Sequence, residues 1–542
     1  MSKASPFKAP QGTHDIIPPD SRRWEALVVA FAAHCRRAGY GYVQTPIFED
    51  LAVFQRMGEG TDVVRKEMYD FRDRSDPPHH LALRPEGTAG IVRAFNQHKP
   101  NKLNPQSPWK TWYAGPNFRM ERPQAGRYRQ FHQLGTEAIG SDDPDIDVEV
   151  IALLWDFYAD LGLKHITLLI NTMGTVEERQ KYLPVLQEFL RSRAGEVAEA
   201  DRDNIEAHPM RVLDSKRRDT RNVIKNAPKL AGSLSAQSLE RFERVKAGLG
   251  ALDIPFVLEP RLVRGLDYYT HTTFEFIGDE VKAAQTTIGA GGRYDRLAED
   301  LGGDAAPGIG FATGAERILI ACDAEGVFET PDAPLDVFVL DVVDGTRARD
   351  TTHLLRRAGI SADRSFDGRN MRSQMKGADR SGAKLAVIIG DDEVAADEVT
   401  IRDLRGQGIQ QRVPVADLVN HLRERLADPD SGNVPAHFYV ENRGPAQTPP
   451  GTEPMPVSVA GGSSPLPDGS PPDEPTPGQT AGNTSGDVNG PSEVPPAPSD
   501  SKAEVPTTGQ AGGIDPDAVL DRAKASRRLQ DIRKALDIET DS

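Results

Sequence analysis

The chain is poor in cysteine, in aromatic side chains and in long apolar runs. Only Cys35 and Cys322 occur among its 542 residues. They lie far apart without a CxxC or HxxxH partner, which argues against a disulfide framework and a structural zinc site. No apolar stretch reaches the roughly 18 residues of a membrane-spanning helix. The N-terminal MSKASPFKAPQGTHD also lacks the apolar run of a signal peptide. A soluble cytoplasmic protein with no membrane partner is expected. A GxxxxGK[ST] phosphate loop is missing as well, and after Gly308-Ile309-Gly310 the third glycine of a dinucleotide fingerprint falls one place late, at Gly314. His14, His79, His80 and His132 have no metal-ligand spacing and read as packing or surface residues.

Positive charge is in deficit too, with a formal net charge of -16. That average misleads, because roughly ten of the excess negative charges lie beyond Leu426. The body is only mildly acidic and can carry local basic surfaces. Four regions separate by composition. Residues 1–332 mix helix-period and strand-period segments and contain a helical insertion at about 175–250. Within it, VEERQKYLPVLQEFLRSRAGEVAEA and SAQSLERFERVKAGLGAL read as helices flanking the basic SKRRDTRNVIKNAPK. Residues 333–427 alternate strand (LDVFVLDVV, KLAVIIG) and helix (TRARDTTHLLRRAG, NMRSQMKGADRSG), which indicates a compact α/β domain. Residues 428–514 are rich in Pro, Gly and Ser and cannot bury enough apolar surface to offset the entropy of ordering. Residues 515–542 could form a short terminal helix, either docking a partner or frayed. No internal repeat is present.

The most informative stretch runs from Asn117 to Glu137, NFRMERPQAGRYRQFHQLGTE. Read with a period of two it becomes a hairpin. Asn117, Arg119 and Glu121 share one face of a first strand. After a loop built on Pro123 and Gly126, Arg129, Phe131, Gln133, Gly135 and Glu137 share one face of a second. Cations, carboxylates and an amide make a poor core, since buried charge costs several kcal/mol unless paired. This face should meet a polar, charged ligand or water, and a merely solvated hairpin has no need of Phe131 and Gly135 there.

Three further polar clusters accompany it. In Leu83-Arg84-Pro85-Glu86-Gly87-Thr88, Pro85 fixes a turn, so that Glu86 leaves a strand just before a helix starting near Thr88. Arg264-Gly265-Leu266-Asp267-Tyr268-Tyr269 leads into the strand HTTFEFIG. Ala290-Gly291-Gly292-Arg293-Tyr294-Asp295 precedes GIGFATGAER, whose small residues permit close backbone approach and whose end becomes a helix carrying Arg317. Singly each is weak, because an isolated Arg–Glu pair is more often a surface salt bridge.

Together they resemble motifs 2 and 3 of the class II aminoacyl-tRNA synthetases. RPEGTAG, RGLDYY, AGGRYD, LDSK (Leu213 to Lys216) and the N-terminal QGTHDIIP narrow the resemblance to the histidyl-tRNA synthetase family, over residues 7 to about 425. Thr45-Pro46-Ile47-Phe48-Glu49 is similar to motif 1, whose proline packs at a homodimer interface in that family. The resemblance implies an α+β fold: a class II antiparallel sheet core with a helical insertion, a C-terminal α/β anticodon-binding domain and a disordered tail. It also implies a histidine–tRNA ligase that forms histidyl-adenylate from L-histidine and ATP and transfers it to the 3′ end of tRNA(His).

The resemblance supplies roles. Arg119, Arg264 and Arg317 would be catalytic. Glu86, Thr88, Arg119, Gln133, Glu137, Arg264, Tyr268, Tyr269 and Tyr294 would bind histidine, with Glu86, Thr88 and Gln133 at the ammonium and Glu137 and Tyr269 at the ring. Arg119, Glu121, Arg127, Phe131 and Arg317 would bind ATP, with adenine stacked between Phe131 and Arg317. Mg²⁺ would be held mainly by ATP phosphates, with no protein metal site. Arg122 and Gln124 match positions facing the tRNA acceptor end, and Arg364, Arg369, Arg372 and Lys376 are candidates for RNA contacts in the C-terminal domain. Lys216 to Lys229 could clamp the acceptor stem through phosphates or be a solvated charge run. One departure is Arg296, where many relatives carry glycine; it should touch only a turn. A family of non-catalytic regulatory subunits of histidine biosynthesis shares this core. Those proteins look eroded in the hairpin and lack the anticodon-binding domain, whereas this chain keeps both.

Overall fold

The computed structural model describes residues 7–427 apart from 57–63, 65, 103–106, 264–267, 282–285, 332–334 and 407. The expected disordered linker and terminal helix, and Arg264, lie outside the described residues.

Strands β1 (Gly41–Tyr42), β2 (Phe48–Asp50), β3 (Asp70–Arg72) and β4 (His80–Leu83) precede the helix Thr88–His98. The hairpin follows as β5 (Trp109–Phe118) and β6 (Gln130–Ile139), and then the helix Pro144–Asp160 and β7 (Ile166–Thr172). After the insertion come β8 (Val257–Leu258), β9 (Thr270–Gly278), β10 (Thr287–Arg293) and β11 (Gly308–Gly314). These build an eight-stranded sheet in the order β1-β5-β6-β11-β10-β9-β7-β8. Its central pairs are antiparallel, while β1 and β8 are parallel to their neighbours. β2, β4 and β3 form a separate three-stranded sheet.

Strand alternation divides the large sheet into an apolar and a polar face. Trp112, Leu134, Phe274, Phe276 and Phe311 point to one side, beneath Leu27 and Phe31 of the helix Asp20–Arg37 and Ile151, Leu154 and Phe157 of Pro144–Asp160. Free Cys35 and Cys322 are buried in this core. The polar side carries the hairpin face. The helix Pro144–Asp160 begins where the sequence chemistry demands it: the Asp143 carboxylate accepts from the Asp145 amide at 3.0 Å, and Pro144 occupies the first turn.

In the insertion, Thr175 and Glu178 form a capping box at the head of the helix Val176–Ser192. The basic stretch carries a helix of its own, Arg218–Ile224. Tyr182, Leu186, Leu190, Ile205, Val223 and Ile224 give this region a separate apolar cluster. The helix Ala236–Ala251 differs: its Val245 and Leu249 belong to the main core, where Gly248 lets it approach Val148.

The C-terminal region has a five-stranded sheet, β13 (Ala362–Arg364), β12 (Val337–Asp341), β14 (Leu385–Ile389), β15 (Glu398–Asp403) and β16 (Gln410–Pro414), in that order. β13, β12 and β14 are parallel, and their two crossovers are the helices Thr346–Arg357 and Met371–Arg380 read from the sequence. β15 and β16 add an antiparallel edge. No helix among the described residues is long and apolar enough to cross a membrane.

Candidate active site

The register of the hairpin sets the site. Thr111, Tyr113, Gly115 and Asn117 of β5 stand opposite Glu137, Gly135, Gln133 and Phe131 of β6, so the face read from period-two alternation is real on the second strand. The first strand stops earlier than that reading expects. β5 ends at Phe118, and Arg119 and Glu121 lie in the turn beyond it. There the Arg119 amide still donates to the Arg129 carbonyl, but the Met120 amide has switched to Glu67. On the other side of β6, Gly310, Ala312 and Gly314 of β11 face Glu137, Gly135 and Gln133. A Cβ at Gly310 would lie 1.8 Å from a Glu137 carboxylate oxygen, so only glycine leaves room for that side chain.

A cleft of about 990 Å³, counting its open mouth, is lined by Glu86, Thr88, Arg119, Glu121, Arg127, Phe131, Gln133, Tyr268, Tyr269, Tyr294 and Arg317. Its two ends differ in charge. At one end Glu86, from the strand-to-helix turn, accepts from the amides of Thr88 (2.7 Å) and Ala89 (2.8 Å), anchoring the helix Thr88–His98. Glu137 sits behind the lining, fully buried, and accepts from the hydroxyls of Thr88 (2.7 Å) and Tyr294. Burial pushes the Glu137 carboxyl up to about 8, although both hydroxyls favour its anion. Burial raises Glu86 as well, against its amide bonds. The Tyr268 and Tyr269 rings stack 4.5 Å apart, and Gln133 accepts from the Asn117 amide at 2.8 Å.

At the other end three guanidiniums converge. Arg119 lies 5.3 Å over the Phe131 ring and donates to the Pro85 carbonyl. Arg317 is held by the carbonyls of Gly126 and Thr287, each at 3.0 Å. Arg127 pairs with Glu121 and lies 3.9 Å from Glu67. Burial depresses Arg317, and repulsion from Arg119 and Arg127 depresses it further; Arg127 is lowered by burial and then by Arg119. A cluster of like charges of this kind would be relieved by an anion bound among them.

The sequence model described as histidyl-tRNA synthetase matches residues 12–318, and that of an anticodon-binding domain matches residues 336–425. The chain belongs to the histidyl-tRNA synthetase family. It is 44% identical over 427 residues to a histidine–tRNA ligase of Geobacillus sp. (strain WCH70), covering 78% of this chain and 100% of the relative. A histidine–tRNA ligase of Rhodococcus erythropolis (strain PR4) is 46% identical, over 78% of this chain and 99% of its own. The structure of an apo histidyl-tRNA synthetase from S. aureus superposes with a TM-score of 0.65 at 36% identity, over 77% of this chain and 100% of that one. Roughly a fifth of this synthetase therefore has no counterpart in these relatives.

The remaining expected residues are spread out. Arg122 and Gln124 are exposed on the hairpin loop, closed by two backbone bonds between Gln124 and Arg127. Arg369, Arg372 and Lys376 are exposed in the C-terminal sheet domain, the last two one turn apart on Met371–Arg380. Arg296 lies at a turn, as expected, and also comes within 4.0 Å of Glu177 in the insertion.

Sequence reasoning missed several residues of the synthetase's site. Tyr113 is 6% exposed, wedged where a Cβ on Gly87 or Gly135 would come within 2.4 or 2.3 Å of its ring. Two glycines bordering the charged motifs were its only trace. Arg84 is buried and donates to Thr45 and to the Pro116 carbonyl, tying the motif 1 segment to the hairpin. Glu316, beside Arg317, accepts from the amide and ring of His132.

Proposed function

We propose that the cationic end of the cleft takes the triphosphate of ATP and the acidic end takes L-histidine, their reacting groups meeting between. The enzyme is a histidine–tRNA ligase: it activates L-histidine to histidyl-adenylate and transfers it to tRNA(His). One observation carries this reading. A single cleft joins a cluster of three guanidiniums to the buried carboxylate of Glu86, with the buried Glu137 directly behind that wall on the hydroxyls of Thr88 and Tyr294.

Arg119, at the junction, suits a bidentate donor to the α-phosphate, with Arg127 and Arg317 reaching the γ-phosphate. Phe131 supplies a face for adenine, and a base entering there displaces the Arg119 contact seen on that ring. Glu86, Thr88 and Gln133 receive the ammonium. Glu137 accepts from one imidazole nitrogen, and the Tyr269 hydroxyl serves the other. Tyr268 and Tyr294 complete the wall. A pocket that bonds both ring nitrogens rejects apolar isosteres, whose binding would leave its buried groups unpaired. The histidine carboxylate attacks the α-phosphorus and pyrophosphate leaves; the resemblance assigns Arg264 to the charge developing there. The 3′-hydroxyl of the terminal adenosine then attacks the adenylate carbonyl and AMP leaves. Positioning and charge stabilisation suffice, without a protein nucleophile. Mg²⁺ would be held mainly by the phosphates, with Glu121 and Glu316 lining the cleft at that end, and would draw charge from them.

Arg122 and Gln124 are free to meet the acceptor end, and Lys216 to Lys229 the acceptor stem. In the C-terminal region, taken here as the anticodon-binding domain, Arg364 lies 4.3 Å over Phe366, whose ring is 55% exposed. That stack beside Arg369, Arg372 and Lys376 suits an unpaired base and its phosphates. Pro46, Ile47 and Phe48 are exposed beside Phe71, an apolar surface suited to a second copy in a homodimer. Histidine-dependent exchange of pyrophosphate into ATP, followed by charging of tRNA(His), tests the function. Histidine binding without exchange would instead identify a regulatory subunit.

A further inference from the structure

The insertion reaches the backbone behind the histidine end of the cleft through Arg179, in the first turn of the helix Val176–Ser192, next to Glu178, which closes the insertion on itself. Glu178 is 6% exposed and gathers both ends of the insertion. One carboxylate oxygen accepts from the Thr175 amide (2.8 Å) and the Ser238 hydroxyl (2.8 Å), and the other from the Ser235 amide (2.7 Å). At Gly174, φ +59°, a Cβ would come within 2.4 Å of Leu234, so entry and exit segments are closed against each other.

Arg179, one residue on and about 100° around the helix, reaches the other way. Its guanidinium donates to the main-chain carbonyl of Tyr269. Beside it, the Met173 amide donates to the His271 carbonyl at 2.7 Å, and the His271 amide donates to the Gly174 carbonyl at 2.8 Å. The foot of the insertion thus grips the backbone on both sides of Thr270. The Tyr269 ring is set from its opposite side, against Tyr268 and the backbone of Gly292, where a Cβ would lie 2.8 Å from it.

We infer that Arg179 is a positioning residue for the histidine pocket, fixing the Tyr269 main chain so that its hydroxyl meets the imidazole ring. It acts without touching the substrate. The inference rests on the proposed place of Tyr269 at that ring. Its physical basis is that a guanidinium–carbonyl bond is charge-assisted and stronger than a neutral one. Tyr269 reaches histidine through a rigid ring, so a small rotation of its backbone displaces the hydroxyl. The tie described here runs to the Tyr269 main chain at the histidine end, so the effect falls on that substrate.

The test is pyrophosphate exchange by full-length wild type, Arg179→Ala and Arg179→Lys, with histidine and ATP varied separately. In Arg179→Ala, KM for histidine should rise about tenfold, the order expected for loss of one charge-assisted bond. KM for ATP and kcat should stay within about twofold, and Arg179→Lys should recover most of the loss. An unchanged KM for histidine overturns the inference, as does a parallel rise in both KM values or a lysine variant no better than alanine. Arg179→Met, which keeps the side-chain stem, carries the same comparison if the alanine variant unfolds. Wild-type exchange tests the function itself, so failure there is read separately from failure of Arg179.

Discussion

Glu137 carries the strongest consequence at the scale of a single side chain. Its carboxyl is fully buried, and that burial pushes it up to about 8, which favours the protonated form at neutral pH. As an anion it accepts from an imidazole N–H more strongly than as a neutral carboxyl, so below pH 8 tight histidine binding favours release of that proton. KM for histidine should therefore fall by up to about tenfold per unit as pH rises from 6.5 to 8, then level off. In Glu137→Gln the KM should be higher and this slope absent; a slope unchanged in that variant would rule out Glu137 as its source. Stability runs the other way. A carboxyl raised on folding binds its proton more tightly in the native state, so its cost grows as pH climbs from the unfolded value of about 4.5 to about 8. Gln133 and Glu137 were legible because polar residues at a period of two stood where a core should be, and Glu86 because Pro85 marks a turn between strand and helix. Tyr113 was not, since an aromatic ring on a strand looks like core until Gly87 and Gly135 are brought against it.

Between elements, one buried ion pair joins the AGGRYD strand to the helix that backs the sheet. Arg293 and Asp147 are both fully buried, and the Arg293 guanidinium bonds Asp147 while its other nitrogens reach the carbonyls of Ser141 (3.0 Å) and Asp143 (3.3 Å). Asp147 also accepts from the Thr272 hydroxyl at 2.7 Å. Removing Asp147 leaves the buried Arg293 with the partly exposed Asp295, at 3.2 Å, as its remaining close carboxylate among the described residues. Asp147→Ala should cost about 3–5 kcal/mol, seen as a lower urea midpoint, and Asp147→Ala with Arg293→Met should recover a large part of it. A single variant as stable as wild type would show that the charges reach water. AGGRYD was legible as a motif, but its arginine was given no role, because the partner lies 146 residues earlier in the chain. The helix of TRARDTTHLLRRAG was read well, whereas VEERQKYLPVLQEFLRSRAGEVAEA was read too long: the chain leaves the helix after Ser192 and forms a new one only at Glu199. The first hairpin strand was read too long, since Glu121 continues the alternation in sequence while the backbone has left the hairpin at Met120, whose amide turns to Glu67.

At the scale of the whole molecule, 78% of the chain covers 99–100% of the length of its relatives. A protein of residues 1–427 should keep the kcat/KM for exchange and charging within about twofold; a loss above tenfold would place the remainder in the reaction. Phe48→Asp should shift the sedimentation of the synthetase from the proposed dimer to monomer, because a charge cannot be desolvated in an apolar interface without a partner. A dimer that survives it would move the interface elsewhere. What the amino-acid order determined alone was local and periodic: the class of each long element, the low cysteine content, the polar face of the second hairpin strand and the motifs that mark the family. Those follow from side-chain spacing and backbone restriction, which act over a few residues. The charge separation across the cleft, the raised carboxyl of Glu137, the wedge of Tyr113 and the grip of Arg179 on Tyr269 were decided only by folding. Each depends on desolvation and contact between groups far apart in sequence, and no local pattern records that.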